Sequence, residues 1–163
     1  MSSLGRAVAL AGFFAAHAIW CVSTGETLIP MVGLERGEER TLVRFATEEL
    51  SEGATKAREH LEANPDGFDR AVMVVDGYVT LGGNKSDALI IEVVEYEPRR
   101  SIKIIVPYRS ASTPDGFAVH RPKFLAAEGD SSELAQLGDA YFGGVDAHEE
   151  GAKVWNDHLE DLA

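Results

Sequence analysis

Residues 108–123 bring together Tyr108, Arg109, His120, Arg121 and Lys123: two guanidinium groups, an ammonium, a phenol and an imidazole. A guanidinium presents its N–H groups as a planar fork that matches the paired oxygens of a carboxylate or phosphate. The set therefore has the chemistry of an anion-binding site, and His120 is its one group able to exchange a proton near neutrality. Residues 98–123 hold six Lys or Arg against one Asp, a sum of +5, while residues 1–97 sum to −8 and residues 124–163 to −9. The 99–123 zone is thus a cationic island in an acidic chain. It reads either as a site for an anionic ligand or as internal balance for the acidic C-terminal helices. Charge runs are more often surface than site, which favours the second reading.

Other reactive side chains are more scattered. His17 and Cys21 are four residues apart, the spacing of neighbours on a helix, so a Cys–His nucleophile pair is geometrically open. Cys21 lies near the C-terminal end of that helix in apolar surroundings, where the dipole and burial both disfavour a thiolate. The expectation is an inert thiol beside a core histidine bonded to backbone. His148 and His158 are ten positions apart on one helix, about 15 Å of rise, too far to share an ion. No metal site is expected. The chain has no GxGxxG, P-loop, GxSxG or HExxH pattern, so no cofactor is expected either, and these residues leave open whether it is an enzyme.

The elements that must position these groups begin with "AVALAGFFAAHAIWCVSTG", residues 7–25, which has no acidic residue, Lys or Arg. A signal peptide would want a stronger basic start than Arg6, and a lipoprotein signal a small residue where Trp20 precedes the cysteine. A membrane span would place His17 at mid-bilayer. A helix apolar all round is what a core helix looks like. At helical spacing Ala7, Ala11, Ala15, Ala18 and Val22 form a small-residue stripe open to close approach of another backbone. Leu10, Phe13, Phe14, His17, Trp20, Cys21 and Thr24 form a bulky one. Protein on both sides implies burial between a sheet and a further layer, or a homodimer contact.

Downstream, residues 30–45 suggest a hairpin around Gly37, and "TEELSEGATKAREHLEANPDG" a mostly solvated helix stopped by Asn64-Pro65-Asp66-Gly67. "RAVMVVDGYVTL", "DALIIEVVEYE" and "RSIKIIVPYRS" read as a three-strand meander. A two-residue turn at Pro98-Arg99 pairs Val93 with Ile104 and Leu89 with Tyr108, leaving one apolar face and placing Glu92, Lys103, Pro107 and Arg109 on the other. Asp76 then falls on the apolar face, and a bulge or a tight turn at Asp76-Gly77 is expected. A fourth strand, "GFAVHRP", pairs Arg109 with His120 and Tyr108 with Arg121. Two helices follow, with acidic capping boxes at Asp130-x-x-Glu133 and Asp146-x-x-Glu149 and Gly143-Gly144 between them.

The fold class is therefore α+β: an antiparallel or mixed meander sheet of 4–6 strands packed against an apolar N-terminal helix, with C-terminal helices. The 163 residues are 45% hydrophobic, which suits a single globular domain over 1–163. A net charge of −12 opposes nucleic acid and anionic lipid, so neither a nucleic-acid nor a membrane partner is expected. One cysteine precludes an intrachain disulfide and is consistent with a cytoplasmic location. The functional expectation is a non-catalytic protein-binding or assembly module, with a homodimer or another protein as partner. The alternative is a small-ligand protein or enzyme holding a carboxylate or phosphate on Arg109, His120, Arg121, Tyr108 and Lys123.

Overall fold

The computed structural model describes residues 2–126 and 131–160. It is built around the first helix, α1 (Ser3–Val22), capped by the Ser2 hydroxyl, which accepts from the Gly5 N–H at 3.0 Å. The hairpin β1 (Met31–Arg36) and β2 (Glu39–Arg44) follows, then α2 (Leu50–Ala63), which ends at Asn64 in the left-handed conformation. Three long strands, β3 (Arg70–Leu81), β4 (Asn84–Tyr96) and β5 (Arg99–Arg109), form the meander. Short strands β6 (Ala118–Val119) and β7 (Lys123–Ala126) precede α3 (Ser131–Ala147) and α4 (Glu149–His158). The sheet is antiparallel in the order β2-β1-β3-β4-β5-β6, with β7 also on β5. Its seven strands exceed the expected count because the segment after Gly116 splits into two short strands on one edge.

Strand alternation sorts the side chains. Val72, Val74, Leu89, Ile91, Val93, Ile102, Ile104 and Val106 join α1 in one core, while Val32, Leu34, Ala71, Met73 and Val94 pack with Ala57 and Leu61 of α2. α1 has the sheet on one side and α3 and α4 on the other. It is long and apolar enough to cross a membrane, yet two thirds of its apolar window is buried inside the protein. Of the two arrangements that would cover it twice, burial between a sheet and a further helix layer is the one adopted. Close backbone approach does occur, but along Ala9, Gly12 and Ala16 rather than the Ala7–Ala18 stripe. A Cβ on Gly12 would overlap the Tyr141 carbonyl, one on Gly144 the Ala9 carbonyl, and one on Gly151 the Ala16 carbonyl.

Four details correct the sequence reading. The β4–β5 turn is Glu97-Pro98, so Leu89 faces Val106 and Val93 faces Ile102, a slip of two residues that keeps every side chain on its expected face. No bulge occurs at Asp76, because β3 pairs with β4 without interruption and the Asp76 carboxylate accepts from the Tyr108 hydroxyl at 2.7 Å. Tyr108 faces Val119 and Arg109 faces Ala118, which removes the expected pairing of Arg109 with His120. Gly143-Gly144 lies inside α3, and the break falls at His148, whose ring caps α4 by accepting from the Gly151 N–H at 2.9 Å. That cap replaces the Asp146 box, while Asp130 lies outside the described residues.

Where α1, α3 and α4 meet, the Tyr141 hydroxyl is fully buried without a hydrogen-bond partner among the described residues. An orphaned buried hydroxyl forfeits about 1–3 kcal/mol of hydration. Tyr141→Phe is accordingly expected to raise unfolding stability by about 1 kcal/mol, read from the denaturant midpoint at unchanged slope. A fall instead would mean that the hydroxyl has a partner in solution.

Candidate functional site

Strand alternation divides the cationic zone. Tyr108 points toward the α1 side and meets Asp76, while Arg109, one residue on, points to the other face. Burial raises the Asp76 pKa against the lowering effect of the Tyr108 bond, and burial together with the Asp76 contact raises the Tyr108 pKa. Arg109 reaches the last described residues. Its Nη1 and Nη2 donate to the two carboxylate oxygens of Glu160 at 3.1 and 3.0 Å, and its Nε donates to the Gly116 carbonyl at 2.8 Å. That fork holds the Glu160 carboxyl below the usual carboxylate range. His120 is buried, and its Nδ1 donates to the Glu160 carbonyl at 2.8 Å. The Glu160 N–H in turn donates to Val119 at 2.9 Å, and Leu159 bridges to Val119 in parallel. Arg121 and Lys123 are exposed just beyond, with Lys123 opposite Ile105. Arg109 and His120 are thus joined through Glu160, whereas Tyr108 belongs to a different contact.

The sequence reading missed a second cluster, on the seam between α1 and β2. Residues Phe13 and His17, four apart on the helix, face Arg40 and Arg44, four apart on the strand: the Arg40 guanidinium lies 4.6 Å from the Phe13 ring centre, and Arg44 Nη2 lies 3.1 Å from His17 Nε2. His17 Nδ1 lies 3.0 Å from Nε2 of His148, and Trp20 packs its ring near both imidazoles. His17 is therefore a half-buried surface group bonded to side chains, correcting the expectation of a core histidine on backbone. The bulky stripe of α1 already placed Phe13, His17 and Trp20 together, but His148 lies 131 residues away and gave no local signal. Cys21, one turn on, has its thiol pKa raised, first by burial. The Arg44 end borders a cavity of about 210 Å³ whose walls include Cys21, Leu28, Ile29 and Met31.

The pH response of this cluster follows from its contacts. The His17 pKa is lowered by burial, then by His148 and Arg44, with Glu150 opposing. Well above pH 6.5 the ring is neutral folded or unfolded and contributes nothing; as pH falls through that value the unfolded chain takes up a proton that the folded chain resists, and stability drops. Denaturation at successive pH values should therefore show a shallower loss below pH 6.5 in His17→Gln than in the parent. Equal slopes would remove His17 as a source of acid sensitivity.

Two larger cavities, about 280 and 450 Å³, lie near the start of α1. Four of their charged wall residues, Glu35, Arg40, Arg70 and Glu95, belong to a ladder of ion pairs across the sheet. Register places Arg40, Glu35, Arg70, Glu95 and Arg100 side by side on β2, β1, β3, β4 and β5. Glu35 accepts from Arg40 and from Arg70, and Glu95 accepts from Arg100 at 2.8 Å. Among the described residues no three His, Cys, Asp or Glu side chains converge as for a metal ion. Set beside protein-family models, curated proteins and solved structures, the chain matches none of them.

Proposed function

We propose that this chain is a non-catalytic binding and assembly module whose contact surface is the corner where α1 ends beside β2. The observation that carries this reading is the exposure of two large apolar side chains around one arginine: Trp20 is 43% and Ile29 39% exposed, with Arg44 between the helix and the cavity that Ile29 lines. Trp and Arg are the residue types that dominate binding energy at protein interfaces. Arg109 supports the same reading from the other side, since its fork already holds Glu160. The half-buried, protonated thiol of Cys21 and the burial of α1 suit an aqueous reducing compartment such as the cytoplasm.

Light scattering of the parent and of Trp20→Glu tests the assembly reading with a second copy of the chain as partner. A dimer at tens of micromolar that Trp20→Glu dissociates supports it; a parent that stays monomeric overturns self-assembly through this corner. Thermal shift against phosphate, nucleotides, dicarboxylates and sugar phosphates tests the alternative. A ligand-induced shift present in the parent and absent in Arg109→Ala would move the function to the 99–123 zone, whereas the binding-module reading expects no such dependence on Arg109.

A further inference from the structure

The hydrogen-bond chain at the α1–β2 corner has a direction set by the backbone. His148 Nδ1 accepts from the Gly151 N–H, and a peptide nitrogen has no other role to offer. The His148 ring is therefore neutral with its proton on Nε2, which donates to His17 Nδ1 across 3.0 Å. With Nδ1 accepting, neutral His17 carries its own proton on Nε2. The next group along is Arg44, whose guanidinium only donates, with Nη2 3.1 Å away. The chain thus ends on two N–H donors facing one another. Any other proton arrangement moves the conflict inward: a proton on His17 Nδ1 confronts the one on His148 Nε2, and a proton on His148 Nδ1 confronts the Gly151 N–H at 2.9 Å, with the Glu150 carboxylate 3.9 Å away and beyond hydrogen-bond distance. Arg44 is exposed and forms no ion pair among the described residues, so the outer end is the one that opens to take an acceptor.

We propose that the gap between His17 Nε2 and Arg44 is a receptor for a carboxylate carried on a short aliphatic group. A carboxylate offers oxygens to both donors and relieves their conflict, and its bond to a guanidinium is charge-assisted. The body of the ligand is set by what borders Arg44: Leu28, Ile29, Met31 and Cys21 in a cavity of about 210 Å³, room for a branched aliphatic chain and little more. Glu26 is also on the cavity wall, so the ligand's one carboxylate must sit at the Arg44 end and a second would meet like charge. A metal ion does not fit between the two imidazoles, because a metal-bound imidazole almost always donates from its other nitrogen, and here His17 Nε2 and His148 Nδ1 both face donors. A free branched-chain acid and the C-terminal residue of a peptide present the same group. The proposal rests on the corner being a binding surface, but not on what else assembles there.

The test uses the full chain labelled with ¹⁵N at histidine, titrated with isovalerate, N-acetyl-leucine, N-acetyl-leucinamide and acetate while imidazole nitrogen shifts and Trp20 fluorescence are followed in Trp155→Phe. Isovalerate and N-acetyl-leucine are expected to saturate and to move the His17 Nε2 resonance, with the amide binding at least tenfold more weakly. The tighter of the two acids names the source, free acid or chain terminus. Arg44→Gln and His17→Gln should each weaken the acid at least tenfold with unchanged circular dichroism. Saturation by acetate as tight as by isovalerate would remove the aliphatic part. No saturation by either acid up to roughly 10 mM, the weak end of measurable affinity, would overturn the site. That failure alongside a dimer sensitive to Trp20→Glu would leave the assembly reading standing; a carboxylate-binding monomer would do the reverse.

Discussion

Gly12→Ala is expected to destabilise the protein by about 3 kcal/mol, the upper end of the usual overpacking cost, although the same change in an exposed helix interior stabilises by up to about 1 kcal/mol. Contact decides the sign. The added methyl would overlap the Tyr141 carbonyl, a backbone atom of α3 that no rotamer change can move aside, so the whole α1–α3 crossing must open. Gly144→Ala meets the Ala9 carbonyl from the other side of the same crossing and should lose a similar amount. The two substitutions strain one interface, so their combination should fall short of the sum, because α3 displaced once already has room for the second methyl. Urea unfolding of the four proteins measures this. A Gly12→Ala protein as stable as the parent would mean that α3 does not dock as described.

Glu35→Leu should rank beside Gly12→Ala, with a loss of about 3–5 kcal/mol, a large part of the 5–15 kcal/mol typical of a whole domain. Glu35 is 5% and Arg70 6% exposed, and Glu35 is the carboxylate that both Arg40 and Arg70 reach. Removing it leaves the buried Arg70 guanidinium with the Gly37 carbonyl at 3.2 Å and a single long contact, 4.0 Å, to the more exposed Asp69 carboxylate. Arg70→Leu should lose less, since Glu35 keeps Arg40 at 2.6 Å. The double variant Glu35→Leu with Arg70→Met should recover most of the loss, because the penalty comes from a buried charge left with only the distant Asp69 and not from absence of the pair. A double variant no more stable than Glu35→Leu would contradict this.

The meander and α1 were legible because each has a long, single-period apolar pattern. The β4–β5 turn was placed one residue late, yet the resulting slip was even, so Ile102, Ile104 and Val106 stayed on the face that meets α1. The ladder was hidden by that same slip, which moved Arg100 away from Glu95. Gly143-Gly144 has the local propensity of a helix breaker, and propensity carries no information about the Ala9 carbonyl that Gly144 must clear. At the cationic zone, closeness in sequence grouped Tyr108, Arg109 and His120, but strand alternation separated the first two. Glu160, which rejoins Arg109 to His120, stands 51 residues beyond Arg109. His17 was visible as a histidine on the bulky stripe; its bonding to His148 and Arg44 is purely tertiary.

The burial of α1 also sets an order of events during synthesis. The helix is made before the sheet, but one of its covering layers, residues 131–158, is made after it, with the entire sheet between them. At the usual 5–20 residues per second, roughly 5–20 s separate the emergence of the helix from that of its outer cover. Until then the Ala9–Gly12–Ala16 ridge, shaped to admit another backbone, stands open on a growing chain. Neighbouring nascent chains on one messenger would present the same ridge to each other, so the interval before residues 131–158 emerge is the one in which mispairing between copies competes with folding.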